Sequence, residues 1–304
     1  MNFYLPSTPK VLVQGITGKE GRRAVEFMRA GGTEIVAGVT PGKGGQQVAG
    51  IPVYNSVAEA FAAHPELNLS SLYVPPRFVK SAFQELAETL VKHHRSDGFF
   101  VHLIAEGVPL QDTAFIIETA KQLQITVLGP ASIGLIKPGH FKIGSIGGLA
   151  NGSFRSGSVA ILSKSGGLSS EAALIVKSLG FGQSLVAGLG GDVLIGSIFS
   201  DFFPYLEQDP QTRLVILIGE VGGTYEQQAA QAIESGLLTK PVIGFVSGLF
   251  TETLPQGVAL GHAGALIEGR ASRRQAKLDA FKRAGIYVAD TLYDIGPLVN
   301  KLLK

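Results

Sequence analysis

The chain has 304 residues, 45% of them apolar and 16% charged, with a mean hydropathy of +0.27. That length suggests about two domains, each large enough for a core of its own. The net charge is +2 and there is no cysteine. Disulfides, Cys-ligated zinc and a thiol nucleophile are therefore excluded, and no basic run of the kind that tracks nucleic acid is present.

No apolar run reaches the ~18 residues needed to span a bilayer. The segment Met1–Lys10 lacks a basic start followed by an apolar core, so it does not read as a signal peptide. A cytoplasmic protein is expected. Glycine is frequent, 40 residues in all, which points to many tight turns and close approaches of backbone to ligand.

Val11–Gln14 is a short β-branched run followed by Gly15-Ile16-Thr17-Gly18-Lys19-Glu20-Gly21 and a helical pattern through Met28. Strand, Gly-rich turn and helix form a nucleotide-binding opening, because the helix start offers N–H groups and partial positive charge. The spacing is GxxGxxG, so the motif alone does not separate a phosphate site from a plain tight turn. Glu34–Gly38 reads as the second strand. It leads into Val39-Thr40-Pro41-Gly42-Lys43-Gly44-Gly45 rather than the acid that would hold a ribose diol. Lys43 between glycines suits a phosphate.

Ser71–Val74, Phe99–Ile104 and Ile125–Leu128 are the next expected strands, with helices from about Val79 to His93 and Asp112 to Leu123 between them. Strands alternating with helices predict a parallel sheet with ligands at its carboxyl edge. His93 and His94 read as a charged helix end, and His64 and His140 as loop residues.

In this order and spacing, GxTGxxG, VTPGKGG, Tyr73-Val74-Pro75-Pro76 and Glu106-Gly107-Val108-Pro109 resemble the alpha subunit of succinyl-CoA synthetase and its relatives. The resemblance runs through nearly the whole chain. It implies a Rossmann-like domain that binds coenzyme A through Gly15, Thr17, Gly18, Glu20, Val39, Pro41, Lys43, Tyr73, Val74 and Pro75, with Glu106 near the thiol end.

Gly129–Gly148 is Gly-rich and weakly periodic, and reads as a crossover. Where succinyl-CoA synthetases carry GPNCPG and KIGxxPG, this chain has Gly129-Pro130-Ala131-Ser132-Ile133-Gly134 and Lys142-Ile143-Gly144-Ser145-Ile146-Gly147-Gly148. Both are closer to ATP-citrate lyase and citryl-CoA synthetase. Gly147 and Gly148 are expected to admit a bulkier acid, the second glycine removing a ring and freeing an N–H for a carboxylate oxygen.

Ser158–Leu162 is a strand, followed by Ser163-Lys164-Ser165-Gly166-Gly167-Leu168 and a helix from about Ser169 to Leu179. This is a second anion-holding helix start, with Ser163, Ser165, Gly166 and Gly167 as candidate phosphate donors; helix capping by Ser is the alternative. Gln183–Leu189, Leu214–Ile218 and Pro241–Val246 are further strands, a helix from about Ile195 to Glu207 is expected, and a loop runs on to Gly257. Glu220 ends a central strand. It is the candidate to hold one ring nitrogen of His262, leaving the other as nucleophile. His262 stands out from the other histidines because Gly261, Ala263 and Gly264 leave room for a bulky adduct. Helices over about Arg270–Ala284 and Thr291–Leu303 complete a flavodoxin-like domain, and Arg270, Arg273 and Arg274 read as a solvated face.

The expected organisation is α/β throughout: a Rossmann-like CoA-binding domain over 1–129, a crossover over 130–157 and a flavodoxin-like ligase domain over 158–304. The resemblance implies that His262 takes phosphoryl from a nucleoside triphosphate and passes it to succinate or citrate, after which CoA attacks the acyl phosphate. No metal site is expected in this chain, and no Walker GxxxxGK[ST] loop is present. Mg-NTP is therefore assigned to a beta-type ATP-grasp partner, without which the chain is expected to be inactive. Two other readings stand beside this one, a CoA-binding regulatory module without phosphotransfer and an NAD-type oxidoreductase. The second is weakened by the missing acid after the second strand.

Overall fold

A computed structural model describes residues 3–95, 98–149, 151–254 and 260–304. The expected loop to Gly257 lies, beyond Leu254, outside the described residues. The chain divides into two compact units, 1–151 with 194–197 and 152–193 with 198–304.

The first unit contains β1 (Lys10–Gln14), α1 (Lys19–Ala30), β2 (Glu34–Val39), β3 (Gln47–Val48), β4 (Ile51–Tyr54), α2 (Val57–Ala63), β5 (Leu69–Leu72), α3 (Val79–Lys92), β6 (Phe100–Leu103), α4 (Leu110–Gln122) and β7 (Thr126–Leu128). The strands order as β3-β4-β2-β1-β5-β6-β7. All neighbours are parallel except β3 against β4. Buried strands carry unbroken apolar runs, as in Val11-Leu12-Val13. Helix α1 turns Ala24, Val25, Phe27 and Met28 inward at helical spacing. Strand order reverses beside β1, between β1 and β5. In an open parallel sheet that is where a crevice opens at the carboxyl edge.

The stretch read as a featureless crossover holds an antiparallel hairpin, β8 (Gly134–Lys137) and β9 (Phe141–Gly144). Its signal was hidden because Lys142 occupies an inward position. Lys142 is fully buried, and its Nζ donates to Gly148 O at 2.5 Å.

The second unit contains β10 (Ser156–Ser163), α5 (Gly166–Ser178), β11 (Gln183–Gly188), α6 (Phe203–Gln208), β12 (Leu214–Gly219), α7 (Tyr225–Glu234), β13 (Val242–Val246), α8 (Arg274–Arg283), β14 (Tyr287–Ala289) and α9 (Ile295–Leu303). Its own strands run β14-β13-β12-β10-β11 and are all parallel. Counted within the unit this is the 2-1-3-4-5 order of flavodoxin-like sheets, with its reversal between β10 and β12.

Two helix expectations are corrected. Residues 194–197 are not helical. Gly196 N–H donates to Gly129 O at 2.8 Å and Ser197 Oγ to Val127 O at 2.7 Å. Those bonds draw the chain away from a helical ladder; a 3-10 turn over Phe199–Phe202 then leads into α6 at Phe203. Helix α8 begins at Arg274 rather than Arg270, because Arg273 is extended and its guanidinium donates to the carbonyls of Glu252 and Leu254. Nor is Arg274 part of a solvated face. It is buried, donating to Val246 O and Asp290 O, each at 2.8 Å. Among the described residues, no helix is long and apolar enough to cross a membrane.

Candidate active site

At the switch point of the second unit, β10 ends at Ser163, just before Lys164, and β12 at Gly219, just before Glu220. Glu220 is buried, and its two carboxylate oxygens have different partners. Oε2 lies 2.5 Å from His262 Nδ1, and Oε1 lies 3.0 Å from Lys164 Nζ. The lysine contact is a buried ion pair. Burial pushes the Glu220 carboxyl up. The hydrogen bond from His262 and the charge of Lys164 outweigh it, and the group titrates below the ordinary glutamate value. An ionised Glu220 only accepts, so His262 Nδ1 donates and the lone pair sits on Nε2.

The ring is walled by main chain. A side chain at Gly191 would meet His262 Cγ at 2.9 Å, and Gly264 N–H donates to Gly191 O at 2.8 Å. The histidine loop is thus pressed against the turn after β11, where only glycine fits.

The start of α5 is arranged differently from the expectation at its serines. Ser163 is fully buried and its hydroxyl donates to Ser165 O at 2.7 Å. It shapes the turn rather than facing a ligand. Ser165 caps the helix, its Oγ accepting from Leu168 N–H at 3.4 Å. Gly166 and Gly167 open the helix, with Gly167 exposed.

In the first unit a cleft of about 490 Å³ opens at the β1/β5 reversal. Of the residues expected to hold CoA, it is lined by Gly15, Thr17, Gly18, Val39, Pro41, Tyr73, Val74 and Pro75. Glu20, Lys43 and Glu106 are exposed and are not among its lining. A side chain at Gly15 would collide with Tyr73 O, which shows how closely the two strand ends approach. Helix α1 has no side-chain cap at Gly18, and Gly18 itself lines the cleft, so the helix starts at the edge of the cleft.

The Gly147-Gly148 turn departs from the expectation in one respect. Both residues have positive φ, 69° and 54°. However, Gly148 N–H donates to Ser145 O at 2.9 Å and is not open to a carboxylate. A four-residue turn closes on that bond, which leaves Gly147 as the residue of the pair that could offer its amide.

Residues 7–94 match the CoA binding domain and residues 162–286 the CoA-ligase domain. The alpha 1 subunit of an ADP-forming succinate–CoA ligase from Archaeoglobus fulgidus is 40% identical, over 97% of this chain and 96% of its own. The chain belongs to the alpha-subunit family of acid–CoA ligases. A subunit of an ADP-forming sulfoacetate–CoA ligase from Acholeplasma is 37% identical, over 99% of this chain and 98% of its own. Among solved structures, ATP citrate lyase from Methanosaeta concilii in complex with (3S)-citryl-CoA superposes with a TM-score of 0.86 at 30% identity. That match covers 97% of this chain and 49% of the other, so this chain spans about half the length of that lyase.

Several residues at these two places were not singled out in the sequence. Lys164 lies inside the Ser163–Leu168 turn, where a cation beside a Gly-rich helix start was a usable signal. Thr40 and Phe78 line the first cleft. Gly191 carries no chemistry, so only its proximity to His262 marks it.

Proposed function

We propose that His262 carries a phosphoryl group from a nucleoside triphosphate to a carboxylic acid, and that coenzyme A occupies the cleft beside β1. The observation that carries the phosphoryl reading is the 2.5 Å contact between His262 Nδ1 and the ionised Glu220. It fixes the tautomer and makes Nε2 the nucleophile. Nε2 attacks the γ-phosphorus as the bond to the β-phosphate oxygen breaks and the nucleoside diphosphate leaves. A carboxylate oxygen of the acid then attacks phosphorus, the N–P bond breaks, and an acyl phosphate results. The thiol of coenzyme A attacks its carbonyl carbon, losing its proton and displacing inorganic phosphate. Gly166 and Gly167 supply main-chain N–H groups and the positive end of α5 for the phosphoryl oxygens.

For coenzyme A, the supporting features are the start of α1 at the edge of the cleft, the absence of an acid after β2, and Lys43 on the loop whose Thr40 and Pro41 line the cleft, for a ribose phosphate. The nucleotide and its Mg²⁺ are assigned to a beta-type ATP-grasp partner. The acids named for the relatives and the neighbour, succinate, sulfoacetate and citrate, share a carboxylate plus a second anionic group. We assign that class to this chain, with succinate and citrate as first candidates and Gly147 at the acid.

The test is incubation with a beta-type partner and γ-labelled ATP. An acid-labile, base-stable phosphoryl group is expected on the wild type and not on His262→Asn. Succinate, citrate and sulfoacetate should be the acids that discharge it. Labelling of His262→Asn at the wild-type rate would sink the assignment, and so would acyl-CoA synthesis that bypasses the labelled species.

A further inference from the structure

The turn that carries Glu220 rests on a second ion pair, from two other elements. Glu226 lies in the first turn of α7 and Lys277 in α8. Both side chains are wholly buried, and they pair with each other. Each also holds main chain. Glu226 Oε1 accepts from Glu220 N–H at 3.1 Å, and Lys277 Nζ donates to Gly222 O at 2.5 Å. The turn is therefore clasped on both sides of Val221, by its donor at 220 and its acceptor at 222. With Lys164 and Glu220 the cluster holds two lysines and two glutamates, and its charge sums to zero.

Stability does not account for such a pair. Removing two charges from water costs much of what their attraction returns, and apolar residues of the same volume often serve as well. What the ionic pair provides, and an apolar pair cannot, is two directed hydrogen bonds that set the turn in one register. Burial pushes the Lys277 ammonium below its ordinary value, while Glu226 pulls it back up.

We infer that Glu226 and Lys277 are positioning residues for His262. Together they hold the main chain of residues 220–222 so that the Glu220 carboxylate meets Nδ1. The inference rests on the phosphoryl-carrier reading for its functional consequence, but its structural content is the tautomer of His262, which can be read on the chain alone. Glu226→Gln and Lys277→Met each leave one buried charge without its partner. The double variant removes both charges and is the one expected to fold without an unpaired ion. Lys277→Arg keeps the charge. Val299→Ala, in the fully buried core of α9, lowers stability away from the cluster.

The experiment combines imidazole ¹⁵N shifts of histidine-labelled protein, phosphoryl transfer to His262 with the beta-type partner and γ-labelled ATP, and urea midpoints. The wild type should hold the Nδ1–H tautomer. The double variant should populate both tautomers and take up phosphoryl about tenfold more slowly or worse, the scale on which supporting partners of a functional side chain act. Lys277→Arg should restore part of the rate. Val299→Ala should lower the urea midpoint and leave tautomer and rate per folded chain unchanged. If the double variant keeps the wild-type tautomer, and its rate follows the folded fraction as in Val299→Ala, the positioning role is wrong. A wild type that holds the Nδ1–H tautomer but takes no phosphoryl would instead overturn the carrier reading and leave the positioning intact.

Discussion

Alanine at position 191 adds one carbon, and that carbon would sit 2.9 Å from His262 Cγ and 3.0 Å from Nδ1. The nearest atoms are the base of the ring rather than its far end, so the ring as a whole must move. It has somewhere to go, since the side chain is 38% exposed. Overpacking in a closed core costs about 1–3 kcal/mol. Here the clash is relieved by swinging the ring toward solvent and away from Glu220. Gly191→Ala is thus expected to leave the urea midpoint nearly unchanged while slowing phosphoryl uptake by about tenfold, equivalent to ~1.4 kcal/mol in the barrier. A wild-type rate in a folded Gly191→Ala protein would show that the ring does not need its present seat. The same residue marks a limit of sequence reading. Gly261, Ala263 and Gly264 mark His262 as a histidine with room for an adduct because they adjoin it in the chain. Gly191 lies 71 positions away, and nothing in its surroundings names His262.

At the scale of elements, both strand–turn–helix openings were legible because their signals are local. Each combines an apolar run, a cluster of Gly and Ser, and a helical period. Their placement at switch points follows from strand order, which alternation of strands and helices only suggests. Charge on an inward face was the harder case. In α8, Arg274, Lys277, Leu278 and Phe281 recur at helical spacing and are all buried, yet two of the four are cations. A polar reading of that helix hides the face that matters. Arg274 shows the consequence. Its guanidinium serves the last carbonyl of β13 and the carbonyl of Asp290, just past β14. Hydrogen bonds to a charged group contribute about 1.5–3 kcal/mol each, and a buried acceptor left without a donor adds to the loss. Arg274→Met should therefore lower unfolding free energy by about 3 kcal/mol in urea titration. Arg270→Ala, at an exposed position, should stay within about 0.5 kcal/mol. Equal effects of the two substitutions would return the cluster to the solvated face that the sequence suggests.

At the scale of the whole molecule, the buried ionisable groups make stability depend on pH, and one of them acts where the carboxylates do not. His102 is fully buried in β6. Its Nε2 lies 3.0 Å from Ser132 O, a carbonyl that can only accept, so Nε2 carries the proton. Nδ1 lies 2.8 Å from Ser71 Oγ and accepts from that hydroxyl. Both ring positions are satisfied in the neutral form, and the Tyr73 ring packs edge-on at 6.3 Å. Burial lowers the His102 pKa to about 4, against a small opposing effect of the Ser132 carbonyl. The unfolded chain binds its proton near pH 6.5, so below that pH the unfolded state holds more protons than the folded one. The contribution is therefore complete above pH 6.5 and is lost progressively as pH falls toward 4, at about 1.4 kcal/mol per pH unit. Between pH 6.5 and 5, before the carboxylates titrate, the loss from this group should come to about 2 kcal/mol. His102→Asn removes the titration and leaves a constant penalty for the smaller side chain. Urea unfolding followed by circular dichroism should then show wild-type stability falling between pH 6.5 and 5 while that of the variant stays nearly level. Parallel slopes for the two proteins would mean that the imidazole of His102 takes up its proton within the folded chain, and that the seat between Ser71 and Ser132 does not exclude the charge.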